Sequence, residues 1–212
     1  MQVEIWSDVV CPWCYLGKRR FERALAAFPG ADDVEVIYRS FELDPTAARR
    51  VTSPTVELLA SKYGMGVGAA EDAQRQMVQR AAADGLSFSL DGQRSGNTRD
   101  AHRLLHLAAA QGRQAVLVEG LHRAYFTERK SVFDVEPLTE IAVEAGLDAA
   151  SVRRVLAGTE YDEDVTADET LASDLGATGV PFFVFDRRYG VSGAQSSEVL
   201  LEALHRASST AA

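Results

Sequence analysis

Trp6-Ser7-Asp8-Val9-Val10-Cys11-Pro12-Trp13-Cys14-Tyr15-Leu16-Gly17-Lys18 joins two kinds of hydrophobic pattern. Before it, Val3 and Ile5 alternate with Glu4, which predicts a strand. After it, Leu16, Phe21, Leu25 and Phe28 recur at near-helical spacing, with Lys18, Arg19, Arg20, Glu22 and Arg23 between them. Pro29-Gly30 stops that helix. A second strand follows over 34–41, where Val34, Val36 and Tyr38 alternate with Glu35, Ile37 and Arg39. Strand, helix and strand make a β-α-β unit, whose crossover sets the two strands parallel. The two cysteines therefore fall where the first strand ends and the helix begins.

That position has chemical consequences. The thiolate is the nucleophilic form of cysteine, and a helix N-terminus offers unpaired N–H groups and partial positive charge to stabilise it. In such motifs the cysteine pKa falls from ~8.5 toward ~3.5–7.5. Cys11, at the very start, is predicted to be the exposed attacker. Cys14 is one turn inside and near enough to close a disulfide. Pro12 suits the first turn because it has no N–H to leave unpaired. Trp13 supplies an apolar surface beside the sulfur.

Outward from this unit, residues 53 to 175 change character and read as helix after helix. Ser53-Pro54 predicts a cap with proline at the first helical position. Further helices are predicted over 69–83, from an Asn97 cap to Gln111-Gly112, and over 114–126, 134–145, 148–157 and 163–175. Strand signals return in Pro181-Phe182-Phe183-Val184-Phe185, followed by a turn at 186–190 and a short return strand at 191–193. A closing helix follows Ser196 or Ser197, and 207–212 is expected to fray. The order is β-α-β, many helices, then β-β-α. We therefore expect an α/β fold with a discontinuous core, residues 1–45 and 176–212, and an inserted helical domain over 46–175.

Composition bounds the function. The 212 residues carry 22 basic and 31 acidic side chains, a formal net charge of −9, with 46% hydrophobic and 25% charged residues. This is globular composition rather than that of a disordered chain. An acidic chain is a poor non-specific nucleic-acid binder, since phosphate neutralisation needs net Lys and Arg. No stretch reaches the ~18 apolar residues of a membrane span. The start, Met1-Gln2-Val3-Glu4-Ile5, has no basic and apolar leader pattern, so a cytoplasmic protein is expected. Cys11 and Cys14 are the only two cysteines. In a reducing compartment such a close pair points to catalysis, redox sensing or metal binding.

The opening stretch resembles the active-site segment of the DsbA-like thioredoxin-fold oxidoreductases, in particular the FrnE-type branch. Gly176-Ala177-Thr178-Gly179-Val180-Pro181-Phe182-Phe183-Val184-Phe185 resembles that family's cis-proline loop and following strand. Tyr189-Gly190-Val191-Ser192-Gly193-Ala194-Gln195 resembles its closing hairpin and helix entry. Asn97-Thr98, Ala101-His102-Arg103-Leu104 and Ala124-Tyr125-Phe126 also resemble the family. The resemblance implies a thioredoxin-like fold with a helical insertion. It implies disulfide exchange with protein or small thiol substrates through Cys11 and Cys14. It implies a cis Pro181 against the sulfurs, with the Val180 backbone offered to an extended substrate and Pro12 and Trp13 lining the same place. No cofactor beyond the redox-active cysteine pair is implied, and glutathione is a candidate reductant. No nucleic-acid or membrane partner is implied.

Other readings stay open at this point. The same superfamily includes 2-hydroxychromene-2-carboxylate isomerases and kappa-class glutathione transferases, which typically carry serine at the position matching Cys11. A chaperone-like binder is another possibility. A zinc site would need two more ligands beside Cys11 and Cys14, and His102 and His106, four apart on one helix, are the available pair. Without such ligands the metal is none. Asp8 is either a proton acceptor for the dithiol or a strand-end cap. Lys18 and Arg19 are expected to be solvated.

Overall fold

The computed structural model describes residues 1–209. Among these the elements run β1 (Gln2–Ser7), α1 (Pro12–Ala27), β2 (Glu35–Ser40), β3 (Thr52–Pro54), α2 (Thr55–Tyr63), α3 (Val67–Ala83), β4 (Arg94–Gly96), α4 (Arg99–Ala110), α5 (Gln114–Phe126), α6 (Val135–Glu144), α7 (Ala149–Ala157), α8 (Asp162–Asp174), β5 (Phe182–Phe185), β6 (Tyr189–Ser192) and α9 (Ser197–Ser209). Of the stretch expected to fray, 207–209 closes α9, and the remainder lies outside the described residues. The chain divides into two compact units, Met1–Leu43 with Glu163–Ala212, and Asp44–Asp162.

The first unit is built on a four-stranded sheet in the order β2-β1-β5-β6. β1 pairs parallel with β2, as a β-α-β crossover requires, and antiparallel with β5; β5 and β6 form an antiparallel hairpin. Every residue of β5, Phe-Phe-Val-Phe, is buried. Strand side chains alternate between faces, so these four divide two and two. Phe183 and Phe185 face α1, with ring centroids 5.7 and 6.5 Å from that of Phe21. Phe182 and Val184 point the other way and pack with Trp6 and Ala172. A central strand buried on both faces reads as a continuous apolar run rather than an alternating one. Each such side chain contributes about 1.5–3 kcal/mol when fully buried.

The hairpin turn has Asp186 and Arg187 both left-handed, at φ 46° and 53°. Three residues, 186–188, join the strands, and the Arg188 N–H closes the turn on Phe185 O at 2.9 Å; left-handed residues at both turn centres give a twist that matches the flanking strands. Side chains fasten it: the Asp186 carboxylate accepts the Gln2 backbone N–H at 2.7 Å, and Arg187 bonds Glu4 at 3.0 Å.

The return from the insertion comes earlier than the 175 read from the sequence, because nearly all of α8 belongs to the sheet unit. Its Ala172 packs on Trp6, and the Trp6 indole N–H donates to the Asp168 carbonyl at 2.8 Å. The Asp168 carboxylate accepts the Ser40 backbone N–H at 2.9 Å and the Arg39 guanidinium at 3.1 Å. One buried acid thus ties the helix to the ends of β1 and β2. The other boundary falls after Leu43 rather than after residue 45.

The second unit is helical, with a small ribbon the sequence did not announce: β3 and β4 pair antiparallel over three residues each. Pro54 consequently ends β3 and caps α2, instead of opening the helix. Arg103, wholly buried on α4, organises part of this unit. Its guanidinium donates to the carbonyls of Val155 and Gly158 at the end of α7, to Glu160 O, and to the Asp100 carboxylate. The last carbonyls of a helix lack their usual partner one turn on, so one buried fork of donors serves several at once. Phe88 stacks on Phe126, centroids 4.7 Å apart, and Tyr125 meets Phe126 and Phe133 edge-on. Among the described residues no helix is long and apolar enough to cross a membrane.

Candidate active site

The chain turns tightly between β1 and α1, and that turn presents the dithiol. The Cys11 backbone N–H donates to Asp8 O at 3.1 Å, and Cys11 O then accepts from Cys14 and Tyr15 at 3.0 and 3.4 Å. Cys11 is therefore the N-cap of α1, in extended conformation, and Pro12 is the first helical residue. Its sulfur lies at the positive end of a helix of 16 residues. The expectation that Cys11 would be the exposed one of the pair needs correction. It is 4% exposed and Cys14 2%, so exposure does not separate them. Position does, since Cys11 stands at the mouth of the helix and Cys14 within its first turn.

Electrostatics marks out Cys14. Burial pushes the Cys14 thiol well above its ordinary pKa, and the hydrogen bond and charge of Cys11 push the same way. The Asp8 backbone and the Ser7 hydroxyl, both bonded to the Cys14 sulfur, pull in the opposite sense without prevailing. Cys14 in the reduced pair thus holds its proton at neutral pH.

Across from the dithiol lies the loop before β5. The Val180–Pro181 bond is cis, and the Cys11 thiol donates to Val180 O across 3.7 Å. Pro181 O accepts the Gly193 backbone N–H at 2.8 Å, which fastens the loop to the end of β6. The Pro181 ring rests on Gly17: a Cβ built there would lie 2.8 Å from Pro181 Cγ and 3.4 Å from Phe183 Cζ. The structure therefore brings Cys11, Cys14, Val180 and Pro181 together from opposite ends of the chain. Pro12 is half-buried, and Trp13 is 38% exposed, which leaves its indole as apolar surface beside the pair.

The remaining candidates fall elsewhere. The Asp8 carboxylate is buried and accepts the Leu43 backbone N–H at 2.8 Å, so it fastens the segment after β2. Lys18 is 4% exposed, against the expectation of a solvated side chain, and pairs with Glu22 at 2.5 Å. Arg19 reaches the same carboxylate group at 3.0 Å. His102 is wholly buried on α4, and His106 stacks with Tyr161, ring centroids 6.2 Å apart. Among the described residues no three His, Cys, Asp or Glu groups converge as a metal site. Ser7 and Gly17 stand in the stretch that resembles the family's active-site segment, but sequence reading gave neither a role: Ser7 bonds the Cys14 sulfur, and Gly17 lies against Pro181. A serine at a strand end and a glycine inside a helix do not by themselves announce such roles. The only available signal was that Gly17 interrupts a helix in which glycine costs about 1 kcal/mol relative to alanine.

Comparison with known proteins bears on this arrangement. The family model described as DSBA-like thioredoxin domain matches residues 2–205. A solved probable DsbA oxidoreductase from Streptomyces coelicolor is 53% identical, with a TM-score of 0.94, covering 98% of this chain and 89% of that one. YwbO of Bacillus subtilis (strain 168) is 25% identical over 96% of both chains. The cytosolic disulfide reductase DsbM of Pseudomonas aeruginosa, solved with GSH, has a TM-score of 0.67 at 17% identity, covering 97% of this chain and 98% of that one; at that identity the likeness is one of fold.

Proposed function

This chain belongs to the DSBA-like thioredoxin domain family, and on that premise we propose that it is a thiol–disulfide oxidoreductase acting on protein or small-thiol disulfides through Cys11 and Cys14. The observation that carries the proposal is the asymmetric pair: Cys11 caps a helix with its sulfur 3.7 Å from the Val180 carbonyl, and Cys14 lies buried one turn inside, where burial raises its pKa.

In the reducing direction the Cys11 thiolate attacks one sulfur of a substrate disulfide. A Cys11–substrate S–S bond forms, the substrate S–S bond breaks, and the second substrate sulfur leaves as a thiolate that takes up a proton. Cys14 then loses its proton and attacks the Cys11 sulfur. The Cys11–Cys14 disulfide forms and the first substrate sulfur is released as a thiol. Two electrons pass from the protein dithiol to the substrate. The same steps run backwards oxidise a substrate dithiol, and the reduction potential against the compartment sets the direction. Protonated Cys14 suits this sequence, because it does not compete with Cys11 for the first attack and ionises as the mixed disulfide forms beside it.

Pro12, Trp13 and Val180 are the proposed substrate contacts. The Trp13 indole offers apolar area, and the Val180 backbone would hydrogen-bond an extended peptide in the manner of an added strand. A reducing cytoplasm suits a chain whose two cysteines are the exchange pair, and glutathione is the proposed small reductant, two molecules giving up two electrons on joining. A redox titration of the pair against glutathione buffers, run beside insulin reduction, tests the reading. We expect one two-electron transition and loss of insulin reduction in Cys11→Ser. Insulin reduction at the wild-type rate in Cys11→Ser would overturn it.

A further inference from the structure

We propose that Gly17 is a positioning residue for the exchange reaction: its missing side chain lets the Pro181 ring seat on α1 and so holds the Val180 carbonyl at the Cys11 sulfur. The inference rests on the proposed disulfide exchange and extends it to a residue outside the dithiol.

Gly17 lies inside α1, three residues past Cys14, and is buried. Mid-helix glycine is unfavourable, since it loses the most backbone entropy on folding. Its presence there needs a reason in packing, and one contact supplies it. A Cβ at this position would stand 2.8 Å from Pro181 Cγ and 3.4 Å from Pro181 Cβ. The first distance is closer than carbon atoms approach in folded proteins, and the ring it meets belongs to a loop fixed on both sides. Pro181 O is held by Gly193 N–H at 2.8 Å, and on the other side Val180 O meets Cys11 Sγ at 3.7 Å. One turn further along α1, Arg20 Nη1 donates to Ala194 O at 2.6 Å, tying the same helix to the residue after Gly193. Helix α1 therefore sets the height of the proline loop over the dithiol, with Gly17 as the point of contact. Adding a methyl group lifts the loop away from Cys11, while the helix itself gains from alanine's better propensity.

A double-mutant cycle separates this from a general packing effect. Gly17→Ala, Pro181→Ala and the double variant are compared for exchange with a disulfide-bonded peptide and for iodoacetamide alkylation of Cys11 across pH. Gly68→Ala serves as control, since a Cβ at that position on α3 meets nothing within 4 Å. We expect Gly17→Ala to slow exchange at least about tenfold and to shift the pH profile of Cys11 alkylation, with an unlowered melting midpoint. In the Pro181→Ala background the same substitution has little further effect, and Gly68→Ala matches wild type. Should Gly17→Ala fail to fold, the double variant, which lacks the Pro181 Cγ, is expected to fold. Wild-type exchange and alkylation in Gly17→Ala, an equal loss in both backgrounds, or failure of both variants to fold would each overturn the inference. If wild-type protein exchanges no disulfide, the proposed function fails, and the alkylation profiles still decide whether Gly17 acts on Cys11 through Pro181.

Discussion

Asp8 sits three residues before Cys11, and its bonds distinguish its two candidate roles. The carboxylate accepts the Leu43 N–H at 2.8 Å, and its backbone carbonyl accepts the Cys11 N–H at 3.1 Å. Both are structural, so Asp8→Ala should lower stability by about 1–3 kcal/mol, the cost of a lost charge-assisted bond to a buried donor. Asp8→Asn keeps a side-chain oxygen for Leu43 and should recover most of the stability and an unchanged exchange rate, measured by urea unfolding beside insulin reduction. A stable but slow Asp8→Asn would instead assign the carboxylate to proton handling. Cys14 gives the other prediction at this scale. Burial raises its pKa in the folded reduced protein, so the folded state keeps the proton longer than the unfolded chain does. Its contribution is complete below the unfolded thiol value of ~8.5 and is lost as pH rises from there toward the folded value, at about 1.4 kcal/mol per pH unit. Denaturant titrations of reduced protein between pH 7 and 10 should show that alkaline decline, and Cys14→Ala should flatten it. An identical slope in Cys14→Ala would refute this assignment.

Strand β1, helix α1 and helix α8 carry the architecture around the site. Glu4 is buried on β1, and although burial alone raises its pKa, the hydrogen bonds and charges of Arg187 and Arg39 outweigh that and hold it below the ordinary carboxylate value. Its contribution is then present above the unfolded value of ~4.3 and is lost as pH falls through the lowered folded value. Glu4→Gln should cost about 1–3 kcal/mol at neutral pH and make acid unfolding shallower; the same acid limb as wild type would contradict the assignment. Asp168→Ala, which strips a buried acceptor from Ser40 N–H and Arg39, should cost about 3 kcal/mol in denaturant unfolding. These two acids also mark the limit of sequence reading. Period-2 alternation in Val3 to Ile5 and helical spacing from Leu16 to Phe28 were enough to foretell β1, α1 and their crossover, because backbone period and burial act locally. The attachment of α8 to the sheet was not legible. It depends on Asp168 finding Ser40 and Arg39 across more than 120 residues of chain. The β3–β4 ribbon was missed for a related reason: three residues per strand are too few to show a period.

For the whole molecule, the site depends on bringing residues 11–14 and 180–181 together across an insertion that forms a compact unit of its own. The cysteine pair, its helix N-terminus and the candidate proline were readable from local pattern and resemblance. The packing role of Gly17 was not, because a glycine's packing reason lies in the partner it admits, here a proline more than 160 residues away. Nor was the burial of Cys11, since exposure belongs to the assembled fold rather than to the motif. The central claim is that Cys11 attacks and Cys14 resolves. It is tested most directly by mixing Cys11→Ser, Cys14→Ser and wild-type protein with a disulfide-bonded peptide at neutral pH and locating the adduct by mass spectrometry. The account predicts a lasting mixed disulfide on Cys11 in Cys14→Ser, a transient one giving way to the Cys11–Cys14 disulfide in wild type, and essentially none in Cys11→Ser. Capture of the peptide on Cys14 in Cys11→Ser as fast as on Cys11 in Cys14→Ser would contradict it.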